Sequence, residues 1–116
     1  MEENLLVEKS RRFALEIVSA YKFLQAAKEH VLSKQLLRSG TSIGANIAEG
    51  QYAQSRADFL SKYTIALKEA SETRYWIGLL IDSDYLYDYE NKDFLISSCD
   101  ELLRLLISST KKLKNT

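Results

Sequence analysis

The chain has 116 residues, no proline, four glycines and one cysteine, and its sixteen basic side chains are balanced by sixteen acidic ones. That length predicts one domain with a core of its own, and so few turn formers exclude an all-β or loop-rich fold. A neutral sum argues against a grip on nucleic acid through overall charge, and a single cysteine excludes an internal disulfide.

The apolar spacing predicts four helices, at about 5–30, 34–49, 55–82 and 88–112. In the first, Phe13, Ile17, Ala20, Leu24, Ala27 and Val31 recur in steps of four and three. No breaker follows in KEHVLSKQ, so Ser33 could cap a second helix, or one helix could run on to residue 50. The basic side chains Arg11, Arg12, Lys22 and Lys28 fall in this segment and Arg38 in the next. A solvated face is their ordinary reading, and a nucleic-acid contact is the alternative.

The next stretch, RSGTSIGANIAEG (38–50), holds three of the four glycines. A phosphate-binding loop would need a preceding strand and a Lys after its last glycine. KQLLRS is not strand-like and no GK[ST] follows, so the stretch reads as a helix. Gly40, Gly44 and Ala48 lie four apart and predict close approach of a neighbouring helix, which offsets a cost of about 1 kcal/mol per interior glycine. Gly50 is expected to close the helix in a left-handed cap. Ser39, Ser42, Asn46 and Glu49, with Gln35 before them, form another stripe. Ser and Asn are poor choices for an exposed helix face, and Glu49 opposes the helix dipole. The stripe is therefore expected to join a packed polar network, with Glu49 held by a Lys or Arg and with Ser42 or Asn46 touching Glu72.

Ser55 and Asp58 resemble a capping box that opens helix three. Along that helix Phe59, Tyr63, Ala66, Ala70, Thr73, Ile77 and Leu80 keep the same spacing. Its end, YWIGLLI (75–81), is apolar around the whole circumference, which predicts burial on every side. A four-helix monomer leaves one side of each helix in water, so Tyr75, Trp76 and Leu79 are expected to anchor contact with another copy. DSDYLYD (82–88) supplies turn residues, and Leu95, Cys99, Leu102, Leu106, Ser109 and Leu113 define helix four. LLRLLI (102–107) makes the same demand for a second burial partner. Short connections make sequential helices antiparallel, an all-α up-down-up-down four-helix bundle.

Charge is unevenly spread: residues 1–62 carry a net +2, 63–107 a net −5 and 108–116 a net +3. No catalytic or metal-binding constellation is legible. His30 is the sole histidine and fits no Glu-x-x-His pair, while Glu69 and Glu72 have Lys68 and Arg74 nearby. Cys99 reads as an inert core thiol. No apolar stretch reaches membrane-spanning length and no signal peptide is legible, so a cytoplasmic protein without membrane, cofactor or small-molecule partners is expected.

The pattern Ser42, Ile43, Asn46, Ile47, Glu49, Gly50, continued by Phe59, Ala66, Ala70, Ser71 and Glu72, resembles the four-helix-bundle family of 23S rRNA intervening-sequence proteins. The resemblance covers essentially the whole chain. It implies an antiparallel bundle assembling into a homopentameric ring, in bacteria, from proteins encoded within rRNA genes. It also implies kinship with the nucleic-acid-binding accessory protein of diversity-generating retroelements, which associates with a reverse transcriptase. That protein is markedly basic, whereas this chain is neutral. The expectation is a non-enzymatic assembly module with RNA or a nucleic-acid-processing protein as partner. A protein-binding scaffold is the alternative, and an unrecognised small-molecule enzyme a third reading.

Overall fold

The computed structural model describes residues 2–115 and contains four helices: α1 (Glu2–Ala26), α2 (Leu32–Gly50), α3 (Arg56–Asp82) and α4 (Lys92–Lys114). They form an elongated bundle of 46 × 20 × 19 Å. Each helix packs against its sequence neighbours and α1 also packs against α4, while the backbones of α1 and α3, and of α2 and α4, stay apart among the described residues. The cross-section is therefore a square with the helices at its corners.

Paired contacts give the directions. Ile17 lies against Gly40 and Ser10 against Gly44. Ser39 is bonded to Thr73, while Gly50 lies against Tyr63. Asn91 reaches Glu16 and Lys9 reaches Glu101. In each set one partner's number rises as the other's falls, which is the up-down-up-down order.

The core follows the predicted stripes. Phe13, Ile17, Ala20 and Leu24 on α1 and Leu36, Ile43 and Ile47 on α2 are fully buried. So are Tyr63, Ala66, Ala70 and Ile77 on α3 and Leu95, Cys99 and Leu106 on α4. Leu86 and Tyr89, from the α3–α4 connection, close one end. The Tyr89 hydroxyl donates to the Glu16 carboxylate and shares a 2.9 Å hydrogen bond with Ser19 Oγ. Burial and the Glu16 carboxylate push its pKa up to about 12. Burial likewise pushes Cys99 up to about 12, and its thiol donates to the Ala70 carbonyl at 3.6 Å, consistent with an inert core thiol.

The helix ends differ from expectation in four places. Helix α1 stops at Ala26 rather than 30, because Lys28 takes a left-handed conformation (φ 64°). The Glu29 N–H then reaches the Leu24 carbonyl at 2.9 Å and closes a Schellman-type turn. This separates α1 from α2 and leaves Val31 74% exposed instead of in the core. Ser33 does not cap α2. It is buried one residue inside, and the cap is the Glu29 carboxylate, which accepts the N–H groups of Val31, Leu32 and Ser33 at 3.3, 3.1 and 2.6 Å. Gly50 is not a left-handed cap either: no glycine has positive φ, and the helix ends through Gln51 in right-handed geometry. The glycine answers a steric demand, since a Cβ there would stand 3.0 Å from Tyr63 Cε1. Ser55 does cap α3, accepting the Asp58 N–H at 3.1 Å, while Asp58 Oδ2 accepts the Gln54 N–H. Helix α4 begins at Lys92, four residues later than predicted, after Tyr89 has been drawn into the core.

Candidate self-association surface

Close packing of α1 on α2 rests on two of the three predicted small positions. A Cβ on Gly40 would meet Ile17 Cδ1 at 2.7 Å, and one on Gly44 would meet the Ser10 carbonyl at 3.3 Å. Ala48 is exposed. Between the two helices lies an open groove of about 290 Å³, lined by Val7, Ser10, Arg11, Ala14, Thr41, Gly44, Ala45 and Ala48.

On the other side of α2, the polar stripe separates into parts. Ser39 is buried, and its hydroxyl meets Thr73 Oγ1 at 2.9 Å, giving the α2–α3 core a satisfied polar pair. Ser42 and Asn46 bond back to their own helix, Ser42 Oγ to the Arg38 carbonyl at 2.7 Å and Asn46 Nδ2 to the Ser42 carbonyl at 2.8 Å. Neither bonds Glu72, contrary to expectation. That carboxylate is taken by the Arg38 guanidinium and by the Trp76 indole N–H at 2.9 Å. Glu49 lies 3.7 Å from Lys62 Nζ, with its side chain 63% exposed.

Arg38, read from sequence among the nucleic-acid candidates, is instead clamped between two α3 carboxylates, bonding Glu69 at 2.9 Å as well as Glu72. The Trp76 and Arg38 hydrogen bonds hold the Glu72 carboxyl below the usual carboxylate range, and Glu72 in turn raises Arg38. Arg38 thus ties α2 to α3. The other candidates stand apart on α1: Arg11 and Lys22 are exposed, Arg12 lies 5.4 Å from the Phe94 ring centroid, and Lys28 sits in the turn. His30 Nδ1 is 2.6 Å from Gln25 Oε1, in the same turn.

The end of α3 is not buried all round. Ile77 and Leu80 face the core, whereas Tyr75 is 62% and Leu79 37% exposed, with the Trp76 ring edge-on to Tyr75 at 5.2 Å. Ile65, 40% exposed, lies on the same side, so positions 65, 68, 72, 75, 79 and 82 form one ridge in steps of three and four. Glu72 within this ridge reaches Arg38 of α2, which places the ridge on the outer side of α3 next to α2. Sequence reasoning named Tyr75, Trp76 and Leu79 but missed Ile65 and the groove across α2. Isolated apolar positions carry no periodic signal, and the groove depends on which small residues stay uncovered.

Comparisons with known proteins place this geometry. A search of curated proteins finds no match. Among solved structures, the chain is similar to a protein with unknown function from the S23 ribosomal protein family of Bacteroides thetaiotaomicron VPI-5482. The two are 53% identical with a TM-score of 0.89, over 96% of this chain and 99% of that one. The family model for 23S rRNA-intervening sequence proteins matches residues 2–108, and the chain belongs to that family.

Proposed function

We propose that the chain is a non-enzymatic assembly module that associates with copies of itself into a closed ring, a pentamer by the family resemblance, and serves as an RNA- or ribonucleoprotein-associated accessory protein. The observation that carries this reading is the α3 ridge: Ile65, Tyr75 and Leu79 expose apolar surface in one line on a helix already packed against two others. Such a patch marks an interaction surface. A non-enzymatic role accords with the burial of Cys99, the one thiol of the chain. The RNA role rests on the family's name and on Arg11 and Lys22, exposed on α1 and making no ion pair among the described residues. A scaffold that binds protein alone is the second reading, favoured by the engagement of Arg38 with two carboxylates.

Light scattering on the purified protein tests assembly, and a mass of several protomers is expected. Titration of structured RNA at increasing salt tests the partner. Binding that weakens with salt and falls further in Arg11→Ala/Arg12→Ala supports the accessory role. Absence of binding even at low salt would turn the assignment to the scaffold.

A further inference from the structure

We infer that Arg38 of α2 is a positioning residue for the contact surface on α3: acting through Glu72, it holds the Tyr75–Trp76 aromatic pair in the arrangement that another copy meets. This rests on the self-association proposed above and specifies what keeps its surface in shape.

Helical spacing puts Glu72, Tyr75 and Trp76 within about one turn of α3. The three are fastened at one atom. Glu72 Oε2 accepts the Trp76 indole N–H at 2.9 Å and a guanidinium N–H from Arg38 Nη2. The indole ring, so held, lies edge-on to the Tyr75 ring, with centroids 5.2 Å apart and planes at 72°.

A glutamate tied only to its own helix would carry the indole through each of its rotamers. The second helix removes that freedom, because the guanidinium is forked. While Nη2 takes Glu72, Nη1 takes Glu69 Oε2 at 2.9 Å, so two points of α3 fix it. Two such bonds set orientation as well as distance, which a lysine ammonium does not do. Arg38 is half-exposed, and exposed ion pairs add little to the stability of a fold. What the fork contributes is direction. The Trp76 and Arg38 bonds also hold the Glu72 carboxyl below its ordinary range, which keeps it an acceptor for both.

Ordering side chains at the moment of association costs free energy, and an aromatic pair already in place avoids that cost. The indole N–H is satisfied before a partner arrives, so no donor is left unpaired when the surface is covered.

Trp76 is the chain's single tryptophan, so its near-ultraviolet circular dichroism reports the pair directly. The band is read at a concentration where the protein is one protomer, and light scattering over a concentration series gives the dissociation constant. Arg38→Met should lose most of the Trp76 band and weaken self-association about tenfold, a coupling typical of one hydrogen-bonded network. Thr73→Val is the control, since it breaks the Ser39–Thr73 bond that also joins α2 to α3. It should lower the melting temperature and leave both the band and the dissociation constant as in the wild type. In Trp76→Phe, which has no indole N–H to hold, Arg38→Met should weaken association no further. The positioning role is overturned, with self-association left standing, by any of four results: a band unchanged in Arg38→Met, a changed band with an unchanged dissociation constant, an equal loss of association in Thr73→Val, or a further loss in the double variant. A wild type that stays one protomer at every concentration would overturn both readings, since no contact surface would then be there to position.

Discussion

Two glycines with opposite surroundings show how much depends on single residues. A Cβ on Gly78 would meet Arg74 Nη1 at 3.6 Å, an ordinary contact, whereas one on Gly40 would stand 2.7 Å from two carbons of Ile17. Both lie in helix interiors, where alanine is favoured over glycine by about 1 kcal/mol. At Gly78 nothing opposes that gain, so Gly78→Ala should raise the denaturation midpoint. At Gly40 the Ile17 side chain must leave its place in the core, and overpacking of this kind costs about 1–3 kcal/mol. Gly40→Ala should lower the midpoint despite its better propensity. Urea unfolding of both variants checks the contrast. The sequence shows that Gly40 sits on a helical stripe, which was enough to predict close packing. It does not show that Gly50 faces Tyr63, because that neighbour comes from another helix, and from sequence alone the glycine reads as a left-handed helix cap.

At the level of the helix, the termini were less legible than the faces. The core stripes of α3 and α4 could be read in advance, since burial imposes a repeat that composition alone reveals. The α1–α2 turn could not. It is made by a lysine in a left-handed conformation and a glutamate that folds over the next helix, where the usual signals are glycine and serine. Burial works against the Glu29 carboxylate, but the N–H groups of Ser33, Leu32 and Val31 outweigh it and hold the carboxyl below its ordinary 4.5. A depressed carboxyl contributes stability that is present above the unfolded value and lost as the pH falls through the folded one. Glu29→Gln should therefore cost about 1–3 kcal/mol at neutral pH, the usual range for a charged acceptor of buried N–H groups. The gap between variant and wild type should narrow steadily below pH 4.5. Thermal unfolding from neutral to acid pH measures it: no gap at neutral pH would show that the amide caps as well as the carboxylate, and a gap unchanged at low pH would show that the loss does not come from the carboxylate's charge.

Across the whole molecule, charge and exposed apolar surface are arranged around one bundle in ways the helix pattern alone does not fix. The sequence shows a basic first half and an acidic stretch in the second. Only the fold turns this into two sides, with α1 and α2 adjacent and the α3 ridge just beyond. Arg38 shows why local reading falls short: its partners, Glu69 and Glu72, are 31 and 34 residues away, and with them it ties α2 to α3. A bundle whose cross-section is two helices thick has little interior relative to its surface. Burial of the ridge against another copy should therefore contribute visibly to stability. A partner present at a hundredfold excess over its dissociation constant adds about 2.7 kcal/mol. The melting temperature should accordingly rise with protein concentration, and the rise should vanish in Tyr75→Ser. Calorimetry at a series of concentrations separates this from intrinsic stability: an unassembled bundle melts at the same temperature at every concentration, whereas copies that stabilise one another do not.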